Sequence, residues 1–179
     1  MIREATPADA RRIAEIHVRA WRFAYKGQMP EQLLAGRTVE GRLEMWNRGL
    51  ARRGQGETFP RIWVFEREGQ VIGFVSSGPS QDPDATSETG EVYAIYIEPD
   101  AIGTGVGRVL FSHGVDDLKE LGFERATLWV LESNELGRRF YEAAGWLPDG
   151  TEKLEDWDGF GIPEVRYCIA FRQPASTES

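Results

Sequence analysis

Apolar residues return at every third or fourth position in the first part of the chain. Ile13, Ile16, His17, Ala20 and Ala24 share one side of a helix that runs to about Tyr25. Thr6-Pro7-Ala8-Asp9 opens it, with Thr at the N-cap, Pro at the first helical position and an acid two residues later. Lys26-Gly27-Gln28-Met29-Pro30 breaks it. Residues 31–35 fit a short helical turn, and 39–51 a further helix with Leu43, Trp46 and Leu50 inward. A polar, glycine-rich connector follows over 52–58. A short strand over 2–5 precedes all of this.

From Arg61 the period drops to two. Residues 62–66 and 71–77 read as strands around a hairpin turn with Gly69, and Gly73 marks a bulge. Residues 78–89, rich in Pro, Ser, Asp and Thr, read as a mobile loop. The next strand begins at Glu91, carries Val92 and Ala94, and stops at Pro99. Gly103, Gly105 and Gly107 turn the chain into a helix with Leu110, Gly114, Leu118 and Leu121 on one side, and Gly122 ends it. A strand over 126–131, a helix over 134–144 with Leu136, Phe140 and Ala144 inward, and a last strand over 164–171 complete the pattern. Between the last two lies an acidic, aromatic loop over 154–161. The reading is one α/β domain over 1–173 with a polar, frayed tail over 174–179.

Composition narrows the class. A net charge of -8 argues against nucleic-acid binding and favours cationic partners over anionic ones. The single cysteine, Cys168, excludes an intrachain disulfide and reads as a buried thiol in a strand. No run of about 18 apolar residues marks a membrane span, so a soluble cytoplasmic protein without membrane contact is expected.

A glycine turn that opens a helix presents unpaired N–H groups and the positive end of the helix dipole. It suits a phosphate or pyrophosphate. Residues 103–109 lack the Lys and the hydroxyl residue of a P-loop, and the glycine spacing differs from a dinucleotide fingerprint. A second segment, Asn134-Glu-Leu-Gly-Arg-Arg-Phe-Tyr-Glu-Ala-Ala-Gly-Trp146, follows the strand ending at Leu131. Together the two resemble the GNAT superfamily of N-acetyltransferases. Its loop pattern, Gln/Arg-x-x-Gly-x-Gly/Ala, falls on Ile102 to Gly107, and its later pattern on Asn134, Phe140-Tyr141-Glu142 and Gly145-Trp146. Ile102 departs from the usual Gln or Arg, so a side-chain contact is lost there while the backbone N–H groups remain.

The resemblance implies a three-layer fold, with a mixed central sheet of six to seven strands splayed at its middle and helices on both faces. It implies acetyl-CoA as cofactor and no metal. Pyrophosphate is expected on the N–H groups of Thr104, Gly105, Val106, Gly107 and Arg108, after the turn at Gly103. The pantetheine arm is expected beside Ala94, Ile95, Tyr96 and Ile97, with an N–H near Tyr96 or Ile97 for the thioester oxygen. Tyr141 is the implied general acid toward the leaving thiolate. Asn134 either caps its helix or reaches pantetheine. Glu91 is the leading general base and Glu98 the second, each with the alternative of a solvated strand-end carboxylate.

The segment Trp21-x-x-x-Tyr25-x-Gly27-x-x-Pro30 resembles a bacterial subgroup of that superfamily, some of whose members acetylate small amines. Trp21 and Tyr25 are read as an acceptor wall or as core packing, and Glu155, Asp156 and Asp158 as an attraction for a cationic acceptor or as a solvated tip. The expected activity is direct acetyl transfer in a ternary complex to a small cationic amine. Acetylation of a protein N-terminus or lysine, and a CoA-binding module without turnover, are the alternatives. The resemblance also allows a homodimer.

Overall fold

A computed structural model describes residues 1–171. The tail expected over 174–179 lies outside the described residues. The elements run β1 (Ile2–Glu4), α1 (Ala10–Tyr25), α2 (Glu31–Gly36), α3 (Val39–Gly54), β2 (Arg61–Arg67), β3 (Gln70–Pro79), β4 (Thr89–Ile97), α4 (Val106–Glu120), β5 (Arg125–Leu131), α5 (Glu135–Ala143), β6 (Leu147–Trp157) and β7 (Phe160–Ala170). One seven-stranded sheet has the order β1-β2-β3-β4-β5-β7-β6. Only β4 and β5 run parallel.

Strand alternation sends side chains to two cores. Ile62, Val64 and Phe74 face α1 and α3, where Ile13, Ile16, Trp46 and Leu50 meet them. Val75, Val92, Leu128 and Val130 face α4, where Leu110 and Leu118 are fully buried. Burial of each such leucine is worth about 1.5–3 kcal/mol. Asp9 closes the capping box at the start of the first helical segment and is ion-paired to Arg3 at 2.8 Å. No helix among the described residues is long and apolar enough to cross a membrane.

Four expectations change. Residues 154–161 are not a loop: β6 and β7 form a hairpin closed at Asp158 and Gly159, with Trp157 paired to Phe160. The loop after β3 is tethered: Arg166 grips Asp82 and Asp84, at 3.1 and 2.7 Å, and Trp129 Nε1 donates to Asp82 at 2.9 Å. Leu136 and Ala144 of α5 face solvent, because α5 covers the sheet by one narrow stripe that Phe140 and Tyr141 supply. Cys168 is half-buried rather than buried.

Candidate active site

The site begins with β4, which has two different edges. Toward β3 it pairs along its whole length, with Gly73 opposite Ile97. Toward β5 it pairs only from Thr89 to Glu91, ending at Glu91–Thr127. Beyond that point β5 continues with β7 as far as Leu131, and the β5-side edge of β4 over 92–97 is left without a strand partner. Unpaired N–H and C=O groups on a strand edge are a template for an extended ligand. The expected splay at the middle of the sheet is therefore present.

A register step gives β4 a second property. Ser76 pairs with Ala94 and Ser77 with Val92, which leaves Tyr93 as the extra residue of a bulge. Tyr93 and Ala94 consequently both face the α1–α3 side, with Tyr96 after them. Val92, Ile95 and Ile97 face α4. Close approach fixes the far end of the strand: a Cβ on Gly73 would stand 2.7 Å from Ile97 Cγ2.

The glycine loop follows. Gly103 and Gly105 have φ of 80° and 88°, a region that glycine enters without a Cβ penalty. Thr104 is exposed but folds back on the preceding turn: both its hydroxyl and its N–H donate to Ala101 O, at 2.7 and 3.3 Å. Its N–H therefore leaves the expected phosphate set. The first bond of α4 runs from Val109 N–H to Gly105 O at 3.1 Å, so the N–H groups over 105–108 have no helical acceptor. This cradle fits a pyrophosphate. Arg108 is exposed beside it and forms no ion pair among the described residues, and the Ile102 side chain is also exposed.

Tyr141 hangs from α5 under the same helix start. It packs on Phe111 and Phe140, each 5.4 Å between ring centres, and its hydroxyl makes no hydrogen bond among the described residues. Burial pushes its pKa well up, so the phenol keeps its proton at neutral pH. Asn134 caps α5: Oδ1 accepts from Gly137 N–H at 3.0 Å, and the amide donates to the Tyr25 hydroxyl at 3.4 Å. The cap reading is therefore present in the fold.

The two candidate bases differ. Glu91 accepts from the Gln81 N–H at 3.1 Å, and burial raises its pKa above the ordinary carboxylate value. Glu98 is no free base. Its oxygens take Arg19 Nη2 at 2.6 Å, Arg19 Nε at 3.1 Å and Arg12 Nη2 at 2.8 Å, so two guanidinium groups on α1 occupy it at the end of β4. Neither acid lines the cavity described next: Glu91 borders it through Gln81, which does, while Glu98 clamps α1 to the sheet.

That cavity, about 1120 Å³, opens between α1, α3, the end of β3, β4 and the tip of the β6–β7 hairpin. Trp21 forms a wall with Trp157, their rings 5.7 Å apart. Tyr25 lies beneath Trp21 and away from the cavity, a packing residue rather than part of the wall. His17 stacks on Tyr96 at 4.6 Å and accepts from Trp46 Nε1 at 3.2 Å. Burial, then Arg42 and Arg37, drive its pKa down to about 3, so it is neutral. Asp156 and Asp158 line the exposed rim, whereas Glu155 is ion-paired to Lys153 at 3.1 Å.

Tyr93, Arg37, Arg42 and Trp157 belong to this cavity and were not singled out from the sequence. Nothing in the local pattern marks the two arginines, which sit at a helix end and within a polar helical run. Tyr93 faces the cavity through a bulge that strand alternation alone does not reveal.

Comparison with known proteins agrees with this geometry. The profile of the acetyltransferase (GNAT) family matches residues 11–146. The N-acetyltransferase YuaI of Bacillus subtilis is 31% identical over 92% of this chain and 87% of its own. A mycothiol acetyltransferase of Thermomonospora curvata is 38% identical over 48% of this chain, which corresponds to 27% of that protein. Among solved structures, the PaiA N-acetyltransferase of Thermoplasma acidophilum in complex with coenzyme A superposes with a TM-score of 0.74 at 18% identity, over 96% of this chain and 98% of its own.

Proposed function

The chain belongs to the GNAT family of acetyltransferases, and from that premise we propose that it moves the acetyl group of acetyl-CoA to the primary amine of a small molecule bound in the Trp21–Trp157 cavity. The observation that carries this reading is the meeting of three features on β4: an unpaired edge, an N–H cradle beyond its end, and an open cavity on its α1–α3 face. Acetyl-CoA supplies the activated thioester. The N–H groups over 105–108 hold its diphosphate, and the β4 edge over 92–97 holds its extended arm. An N–H near Tyr96 or Ile97 would donate to the thioester oxygen when acetyl-CoA is bound.

The protons are handled on both sides of that strand. Glu91, or a water it holds, takes the proton of the attacking ammonium, and its raised pKa keeps it close to a working base. Tyr141 keeps its proton until a thiolate needs it. Attack is direct, within a ternary complex, since the amine and the thioester approach β4 from its two sides. A wall of Trp21 and Trp157 over the cavity favours a small acceptor over a peptide. The test is thiol release from acetyl-CoA across a panel of amines. Tyr141→Phe is expected to lower kcat by about 10²-fold, the scale of one acid–base group, with KM for acetyl-CoA little changed. An unchanged kcat removes Tyr141 from the reaction.

A further inference from the structure

The inner part of the acceptor cavity carries two guanidinium groups that no carboxylate neutralises. Arg37 lies over the faces of Trp21 and Trp157, 5.5 and 5.2 Å from the ring centres. Its Nε is fully buried and without a hydrogen-bond partner among the described residues. Arg42 is half-buried, and its one side-chain contact of this kind is to Met45 Sδ at 3.6 Å. No acid comes within ion-pair distance of either group among the described residues. Other arginines withdrawn from solvent are matched: Arg3, Arg12, Arg53, Arg61 and Arg166 have carboxylate partners, and Arg138 donates to the Tyr167 hydroxyl and the Glu132 carbonyl, whereas Arg108 and Arg125, which have no ion pair among the described residues, are exposed.

The surrounding charges do not cancel this pair. Arg52 lines the cavity but is already matched by Glu57 at 2.6 Å. Asp156 and Asp158 stand on the exposed rim, and Asp156 accepts from the Gly159 N–H at 2.9 Å within the hairpin turn. Both arginines act on the β4 face where the acceptor must sit: they add to burial in lowering the pKa of His17, and they oppose the rise that burial imposes on Tyr96. Burial and then Arg37 lower the pKa of Arg42, and the opposing pull of Tyr96 and of Asp158, which is beyond ion-pair distance, does not offset them. A buried cation beside a second one is costly unless an anion joins them. A planar guanidinium fork matches a carboxylate or phosphate through two parallel hydrogen bonds.

We propose that the acceptor is an amine that also carries an oxyanion group, a carboxylate or a phosphate, seated between Arg37 and Arg42. This rests on the acetyl-transfer reading and deepens it. It reverses the expectation of a purely cationic acceptor, which came from the net charge of -8 over the whole chain. Total charge sets the long-range field, while selection in the cavity is made by the groups that touch the ligand. The aspartates of the rim remain suited to the ammonium end as it enters.

The experiment compares L-amino acids with their carboxamides and decarboxylated amines, and O-phosphoethanolamine with ethanolamine. Binding to CoA-loaded protein is measured by calorimetry and by the fluorescence of Trp21 and Trp157, and turnover by thiol release. The oxyanion members of either series are expected to bind at least tenfold more tightly than their neutral or cationic counterparts. Preference for the amino acids or for O-phosphoethanolamine tells carboxylate from phosphate. Arg42→Met should raise the acceptor Kd and KM about tenfold or more, the scale of a lost charge-assisted pair, and leave KM for acetyl-CoA unchanged as the control for folding. Arg42→Lys should recover only part, because the charge returns without the fork. Equal or tighter binding of the carboxamides and decarboxylated amines overturns the proposal, as does an Arg42→Met protein with an unaltered acceptor Kd, or no binding by any oxyanion member. Oxyanion-selective binding without thiol release from any amine overturns instead the transfer reading, and leaves the anion site standing.

Discussion

Glu91, half-buried at the start of β4, and His17, buried on α1, are both pushed toward their neutral forms. For Glu91 the shift is upward, so the folded protein binds its proton more tightly than the unfolded chain does. Its contribution to stability is full below the ordinary carboxylate value of 4.5 and is lost as pH rises through the raised value. The same shift moves the acidic limb of kcat/KM above 4.5, since the base must be ionised to work. Glu91→Gln is expected to lower kcat/KM by about 10²-fold and to erase that limb, while stability at neutral pH is kept or slightly raised. A pH–rate profile with denaturation at the same pH values checks both. A mutant that retains the limb removes Glu91 as the base. His17, held near 3, stays neutral throughout the working range and contributes no limb of its own.

At the scale of elements, β4 is the piece on which the site depends, and its geometry is set by small residues next door. Gly73 of β3 lets Ile97 lie almost on the neighbouring backbone. An added methyl meets the branched Cγ2 of Ile97 at 2.7 Å and Tyr96 O at 3.3 Å, and neither is a flexible chain end. Gly73→Ala is therefore expected to cost about 1–3 kcal/mol through overpacking. It should also raise KM for acetyl-CoA several-fold, because Ile97 closes the cofactor edge of β4. Thermal unfolding and steady-state kinetics on one preparation test the pair of effects. Loss of stability with an unaltered KM would separate the β3–β4 contact from the cofactor edge.

The whole molecule is held to this site by ionic clamps far from the chemistry. Glu98, fixed by Arg12 and Arg19, joins the end of β4 to the middle of α1, the helix that brings His17 and Trp21 to the cavity. Arg166 with Asp82, Asp84 and Asp149 binds the loop after β3 to the β6–β7 hairpin, and that loop supplies the Gln81 N–H to Glu91. Glu98→Gln leaves two guanidinium groups with a weaker acceptor. The expected cost is about 1–2 kcal/mol, reduced because Arg19 is half in solvent, and a fall of several degrees in Tm. The kcat should stay within about twofold. A large loss of kcat with an unchanged Tm would return Glu98 to the reaction.

Local pattern determined a great deal of this protein. The helix from the Thr6–Asp9 box, the glycine turn over 103–107, the Asn134 helix and the succession of strand, loop, helix and strand over 91–131 were legible because each is written in contiguous residues. Periodicity, caps and positive-φ glycines are short-range properties of the chain. What the sequence alone left undecided is of another kind. Glu98 and Glu91 are alike as strand-end acids, and only the arrival of α1 beside one of them makes it a clamp. Residues 154–161 look like a loop until β7 pairs with them. Arg37 and Arg42 are ordinary polar residues of the α2–α3 region until the fold sets them over Trp21, Trp157 and β4 without a carboxylate. Those roles depend on which groups meet across the sheet, and burial and charge pairing act between residues that are neighbours in space and not in the chain.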